Sequence, residues 1–256
     1  MIYLQCNSES GDGESHKYTL NFNPPLDLTD GEYVLTLDSL YHYYSFYNIS
    51  AALGNNTLSY YDGSTNHAIT IPDGIYSVEL LNSYLHSVQF NNGSYTLASG
   101  IYTYGFDVLA NNARLTIDIN LNLAGYTVDL SSASSTLNEL LGWPAAVVSV
   151  SGTGTSHANI NNGVNSLALE CSIVAGGYAG SSIGGAGAFP GQIIANWLPN
   201  NPPGSSISFV PYNHIWQAVS KKTVDSISFR VLSQAGALID LNGEPFVANI
   251  IITKAD

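Results

Sequence analysis

The six histidines are the first residues to consider for metal binding in this 256-residue sequence. Metal-binding histidine pairs are commonly separated by about three to five residues, and no two of these histidines have that spacing. We therefore interpret them as polar residues of strands and loops, and we expect neither a metal site nor another cofactor. They are His16, His42, His67, His86, His157 and His214.

Carboxylates are the second feature that could support chemistry, because glycoside hydrolysis needs two of them to meet in space. Glu79 in a predicted helix and Glu170 in a predicted strand are candidates by residue type alone. A solvated charge or a structural hydrogen bond explains each of them more simply. No other pattern indicates a catalytic group, so we predict no catalytic residue and do not expect an enzyme.

The low charge of the chain is its most unusual property. Charged residues make up 10% of the sequence and 17 residues are tyrosine, whereas soluble proteins average about 25% charged residues. Tyrosine adds contact area at low entropic cost and is enriched at protein interfaces, where lysine and glutamate are depleted. The composition therefore favours a protein that packs against copies or partners, and a lectin-like β protein with a hydrated neutral surface fits it equally well.

The sign of the charge argues against nucleic-acid binding. The chain has six basic and 19 acidic residues, for a net charge of −13. Electrostatic binding of nucleic acid requires clustered Lys and Arg. No stretch approaches the roughly 20 apolar residues of a membrane span. The first residues also lack a basic start followed by an apolar run, so we expect neither a membrane span nor a signal peptide.

The two cysteines, Cys6 and Cys171, are too few and too far apart in the sequence for a disulfide framework or a zinc site. Cys171 alternates within an apolar strand pattern and is predicted to lie in the core. Cys6 lies in a polar N-terminal segment and is expected to be a free thiol. Both expectations suit a reducing compartment.

Residues 56–144 differ in pattern from the rest of the chain, which alternates with the period of two typical of strands. Within this segment a hairpin is followed by a helix and then by further strands. Ser77 can cap the helix, since Val78 and Leu81 begin an apolar face of period 3.6. Thr136 and Glu139 form a capping box, which predicts a second, short helix.

About eight antiparallel strands remain outside this segment, two before it and the rest after it. Eight strands in two facing sheets is the number typical of a jelly roll. We therefore predict a mainly β fold, in which residues 1–55 and 145–256 form a single jelly-roll β-sandwich and residues 56–144 form an inserted α/β subdomain. The glycine-rich segment 176–191 is predicted to be a flexible loop without the Lys-Ser/Thr of a phosphate-binding loop.

Aromatic residues mark the candidate contact surface. Residues 41–47 are aromatic on both faces of an extended segment, so we expect both faces to be covered, by the core or by another subunit. Two tryptophans in later predicted strands allow the same two interpretations. The candidate core or subunit-contact residues are Tyr41, Tyr43, Tyr44, Tyr47, Trp197 and Trp216.

Six short segments, none of them catalytic, carry a family resemblance through their order and spacing: Asn23–Tyr33, Ile69–Asn82, Leu140–Trp143, Val164–Ile173, Pro199–Gly204 and Ile239–Glu244. In these segments the sequence resembles the penton, or minor capsid, proteins of Polinton/Maverick elements and the related adintoviruses. It departs from that pattern at Trp143, where the family has Phe, at Asn242, where the family tends to have Arg, and in the longer loop 176–191.

The resemblance implies a non-enzymatic capsid subunit built on a single jelly roll. That family forms pentamers at capsid vertices, so the resemblance implies self-association, contact with a major capsid protein and a location in the virion. Synthesis is then expected in the cytoplasm or nucleus of a host cell. A double jelly-roll major capsid protein needs two sandwiches, and 256 residues accommodate one.

A carbohydrate-binding β-sandwich is the alternative function. Exposed Tyr and Trp can stack on sugars, and jelly rolls include lectin domains. The two functions are compatible, because a vertex protein can also bind glycans.

Overall fold

The computed structural model describes residues 1–8, 17–132, 135–160, 164–175, 177–179, 189–202, 204–234 and 236–255. It is mainly β, with 48% strand and 9% helix. The chain divides into two compact units, one formed by Met1–Phe46 with Val164–Asp256 and the other by Tyr47–Gly163.

The strands and helices fall into three groups along the chain. Before the second unit lie β1 (Ile2–Asn7), β2 (Lys17–Asp27) and β3 (Tyr33–Tyr43). Within the second unit lie β4 (Thr57–Asp62), β5 (Asn66–Thr70), α1 (Val78–Asn91), β6 (Tyr95–Ala98), β7 (Ile101–Tyr104), β8 (Phe106–Asn111), β9 (Thr116–Leu121), β10 (Tyr126–Asp129), α2 (Leu137–Leu141), β11 (Val147–Val148) and β12 (Gly152–Thr153). After it lie β13 (Leu167–Cys171), β14 (Gly177–Ala179), β15 (Phe189–Gly191), β16 (Ile193–Trp197), β17 (Ser206–Phe209), β18 (Gln217–Ala218), β19 (Thr223–Ser233) and β20 (Phe246–Lys254).

The first unit is a sandwich of two antiparallel sheets. One sheet has the strand order β1-β20-β3-β17, with β18 also paired to β3, and the other has the order β16-β13-β19-β2. Each sheet joins strands from the two ends of the chain, since β1 pairs with β20 and β2 pairs with β19. Four main strands in each sheet with this order make a jelly roll, and the predicted fold class is confirmed.

Strand β1 was not anticipated, so three strands rather than two precede the second unit. Its sequence does alternate, with Ile2, Leu4 and Cys6 packed towards the core and Tyr3 and Gln5 exposed, so the signal was present in the sequence. The strand forms because β20, far away in sequence, offers a complete antiparallel ladder from Ile2 opposite Ile252 to Asn7 opposite Val247. Cys6 is fully buried in this ladder rather than lying in a polar tail.

Alternating side chains of both sheets fill the core between them. In β19 the fully buried Ile227, Phe229 and Val231 alternate with more exposed residues. This alternation is expected for a strand with one face towards the core and the other towards solvent. Cys171 is fully buried in the same cluster, as predicted. Burial of each such side chain stabilises the fold by about 1.5–3 kcal/mol.

The second unit has its own core between helix α1 and several short sheets. Helix α1 begins where predicted, because the Ser77 hydroxyl accepts a hydrogen bond from Leu80 N, and Leu81 and Leu85 are buried on its apolar face. Helix α2 also forms, but the predicted capping box does not: the Thr136 side chain makes no cap hydrogen bond.

The second unit is wider on both sides than the segment 56–144 expected from the sequence. On the N-terminal side, the buried Asn48 side chain donates hydrogen bonds to the carbonyls of Tyr76 and Ile160 and accepts one from Tyr76 N, at 2.7–2.8 Å. On the C-terminal side, β11 and β12 pair with β10 and β9. Hydrogen bonds across the unit therefore set its boundaries, and the composition of the segment does not reveal them.

One of the further strands expected after helix α1, over residues 102–109, is divided at Gly105 into β7 and β8. A side chain at Gly105 would overlap the ring of Tyr126, so the chain needs a glycine where it bends. Strand β7 pairs with β6 in a two-stranded hairpin, whereas β8 pairs with β9.

The glycine-rich segment 176–191 falls largely outside the described residues, and so does His16. At its ends the backbone of β14 pairs with that of β15. Neither of the two helices in the described ranges has the length and apolar character needed to cross a membrane.

Candidate assembly surface

Two of the six candidate aromatics, Tyr44 and Trp197, belong to the core of the sandwich. Each is 3% exposed. The Tyr44 ring stacks on Phe46 with 4.3 Å between the ring centroids, and burial raises the pKa of its hydroxyl. These two residues therefore stabilise the core of the sandwich and are too buried to contact a partner directly.

Trp197 is hydrogen-bonded to a histidine that the sequence did not single out. The Trp197 indole donates from Nε1 to Nε2 of His42 over 3.0 Å, and the fully buried His42 places Nδ1 2.8 Å from the carbonyl oxygen of Tyr43. Because Nε2 accepts, the proton of the neutral ring must lie on Nδ1 and be donated to that carbonyl. Burial lowers the pKa of His42 and keeps it neutral.

Tyr41 and Tyr43 lie at the end of β3 with their side chains outward. They are 39% and 38% exposed, and their rings meet edge to face with centroids 5.7 Å apart. Their cross-strand neighbours on β17 are Ser208 and Ser206, which carry no charge. A hydrogen bond with Tyr41 raises the pKa of the Tyr43 hydroxyl.

The connection between β17 and β18 exposes more apolar surface than any candidate taken from the sequence. Val210 is 67% exposed, Tyr212 99% and Ile215 66%. Trp216, the sixth candidate, closes the segment at 44% exposure, with its ring 6.0 Å from that of His214. We call residues 210–216 the apolar loop.

The signal for the apolar loop was present in the sequence but was assigned differently. Trp216 was expected to lie in a strand, yet only the next two residues, Gln217 and Ala218, pair with β3. Residues 199–220 contain no Asp, Glu, Lys or Arg, in a chain of net charge −13. A long charge-free run with exposed large side chains is typical of an interaction surface.

Tyr47 lies in the second unit and is 39% exposed. The six candidates thus divide into two core residues and four exposed ones. Whether the exposed ones contact another subunit stays a prediction.

The polar residues considered for chemistry form structural pairs. The Nε2 atoms of His67, His86 and His214 lie 2.8, 2.5 and 3.6 Å from the carboxylates of Asp62, Asp107 and Asp38. Among the described residues, no group of three or more His, Cys, Asp or Glu side chains is placed to hold a metal ion.

The two carboxylates considered for glycoside hydrolysis lie in different units. Glu79 is in the first turn of α1. Glu170 in β13 is 8% exposed and forms an ion pair with Arg230, which lies opposite it on β19. A structural role accounts for Glu170.

No protein-family model matches the sequence, and no curated protein sequence matches it. Solved structures do match. The mavirus penton protein superimposes with a TM-score of 0.51 at 10% identity, over 99% of this chain and 99% of its own. A chain of the Sputnik virophage cryo-EM structure superimposes with a TM-score of 0.47 at 13% identity, over 99% of this chain and 97% of its own. The protein therefore has, from end to end, the jelly-roll fold of the mavirus penton protein.

Proposed function

We propose that this protein is a vertex subunit of a viral or virus-like capsid, which self-associates as a pentamer and contacts a major capsid protein. The observation that carries the proposal is the end-to-end match to the mavirus penton protein. The match covers the inserted unit as well as the sandwich, so the two chains share more than a common sandwich architecture. The six sequence segments that resemble Polinton/Maverick pentons point independently to the same class of protein.

The exposed aromatic surface supports self-association. Copies of a chain with net charge −13 repel one another, and this cost is smallest where the facing surfaces carry no charge. The apolar loop and the Tyr41–Tyr43 pair, both in the sandwich unit, contain no Asp, Glu, Lys or Arg, and the carboxylate of Asp38 beside His214 lies at the margin of the loop. Buried aromatic residues are also the side chains that most often carry the binding energy of an interface.

The test is the particle mass of the purified protein, measured by mass photometry and by light scattering at increasing concentration. We expect a species of five times the mass of the chain, visible as a ring by negative-stain microscopy. Tyr212→Arg combined with Ile215→Arg is expected to shift the protein towards the monomer, because each change places a charge in the interface. Leu115→Arg is the control, since Leu115 is 65% exposed outside the apolar loop.

One outcome would contradict the proposed function, and another would exclude only the apolar loop as the contact between subunits. A wild-type protein that remains monomeric at high concentration and does not bind a co-expressed major capsid protein is not a vertex subunit. A pentamer that survives both arginine substitutions would keep the function but exclude the apolar loop as its contact. In the virion, the proposal places the protein at the vertices, beside the major capsid protein.

A further inference from the structure

A concave cleft of about 380 Å³ lies at one edge of the sandwich, where the edge strand β16 of one sheet is connected to the edge strand β17 of the other. Ligand sites commonly have volumes of about 300–1,000 Å³, so the cleft is large enough for a small organic molecule. A second, polar depression beside Arg230 holds about 160 Å³ and falls below that range. The lining residues of the larger cleft are Asn196, Trp197, Leu198, Asn200, Asn201, Ile207, Ser208 and Phe209.

The cleft offers hydrogen-bonding groups that the fold does not use. Within the described chain, no hydrogen bond engages the side chains of Asn196, Asn200 or Ser208, and all three are exposed. Asn201 donates from Nδ2 to the carbonyl of Ser206 and keeps its amide oxygen available. Amide and hydroxyl side chains both donate and accept hydrogen bonds. The rim can therefore bind ligand groups that also donate and accept, such as hydroxyls.

The floor of the cleft is apolar and firmly held. Phe209 is half-buried, and the centroid of its ring lies 6.2 Å from that of Trp197, with an angle of 30° between the ring planes. Trp197 is fixed from beneath by its hydrogen bond to His42. An aromatic ring with a rigid support is a suitable surface for the apolar C–H face of a saturated, hydroxylated ring.

None of the lining residues carries a charge. An anionic ligand would find no cation there and would be repelled by the net charge of −13. A cationic ligand would find no carboxylate in the lining. The cleft therefore suits a neutral ligand with several hydroxyl groups and one apolar face.

From these groups we propose that the cleft between β16 and β17 binds a neutral saccharide. The saccharide ring lies on Phe209, and its hydroxyls exchange hydrogen bonds with Asn196, Asn200 and Ser208. Asn196, Asn200 and Phe209 lie outside both the apolar loop and the Tyr41–Tyr43 pair, whereas Ser208 on β17 lies opposite Tyr41 on β3.

The experiment measures binding of the methyl glycosides of glucose, galactose, mannose and N-acetylglucosamine to the full chain, by saturation-transfer NMR and calorimetry, with N-acetylneuraminic acid as an anionic probe. We expect saturable binding of at least one neutral glycoside and none of the anionic probe. Asn200→Ala and Ser208→Ala should each weaken binding by roughly fivefold to tenfold, the effect of one lost hydrogen bond. Asn112→Ala, an exposed change in the other unit, should leave it unchanged.

Because these three substituted side chains are exposed, the variants are expected to fold, which thermal unfolding will verify. Absence of saturable binding by the folded wild type overturns the proposal, and so does binding that survives both alanine substitutions. The double variant Tyr212→Arg, Ile215→Arg separates this test from that of assembly. This double variant should no longer form the pentamer, but it should still bind the saccharide. If it gains saccharide binding that the wild-type pentamer lacks, a neighbouring copy occupies the cleft and the proposal fails.

Discussion

The indole nitrogen of Trp197 and Nε2 of His42 are joined by a 3.0 Å hydrogen bond across the interior of the sandwich, from β16 in one sheet to β3 in the other. The two rings also meet edge to face, with centroids 5.6 Å apart. This bond ties together the two sheets beneath both the cleft and the Tyr41–Tyr43 pair. It exists only while His42 is neutral, because a protonated Nε2 cannot accept.

Stability should therefore fall in mild acid. Burial lowers the pKa of His42 below its ordinary value of 6.5, and in the unfolded chain that ordinary value returns. Between these two pKa values the unfolded state binds more protons, so the free energy of unfolding decreases as the pH falls from about 6.5 and levels off below the folded-state pKa.

Denaturant titrations at pH 7.5, 6.5 and 5.5 will measure this effect. One group can contribute at most about 1.4 kcal/mol per pH unit. His42→Gln is expected to lower stability at pH 7.5 and to flatten the pH dependence. An equal slope in the variant and the wild type would show that His42 is not the responsible group.

Replacing Arg230 by Met should destabilise the protein by about 1–3 kcal/mol. Its partner Glu170 is 8% exposed and would be left as an uncompensated charge, which costs more than the pair contributes. Lys222→Met is the matched control, because its partner Glu32 is 80% exposed and such surface pairs contribute about 0–1 kcal/mol. Equal effects of the two substitutions in chemical denaturation would refute this account.

Gly105→Ala should destabilise the second unit by about 1–3 kcal/mol, the usual cost of overpacking. The added methyl group would overlap the Tyr126 ring. Tyr126→Leu in the same chain should recover part of the loss, which a double-mutant cycle measures as a coupling energy. If the effects of the two substitutions are strictly additive, the loss of stability in Gly105→Ala does not come from contact with the Tyr126 ring.

Neither thiol should react with a disulfide reagent in the folded protein at pH 8. Burial raises the pKa of both Cys6 and Cys171 to about 12, so only about 10⁻⁴ of each is in the reactive thiolate form, and access is also blocked. Both should react at once in denaturant. Rapid labelling of Cys6 alone before unfolding would show that the β1–β20 edge opens locally.

The inserted unit shows which elements a local sequence pattern can predict and which it cannot. Helix α1 could be predicted, including its cap at Ser77, because a helix is stabilised by contacts three and four residues apart. The hairpin β6–β7 was missed, since the alternation around Gly105 continues through the bend. That bend is set by Tyr126, whose position depends on the pairing of β10 with β4.

Period, composition and the order of elements were sufficient to predict the jelly roll, an inserted unit and a surface of low charge. Which aromatics face solvent could be read only from the packing of the two sheets. Tyr43 and Tyr44 are neighbours, yet one is 38% exposed and the other 3%. Burial depends on which sheet covers a given face, and strands that are distant in sequence supply that cover. For the same reason the His42–Trp197 hydrogen bond became visible only once β16 and β3 were placed in facing sheets.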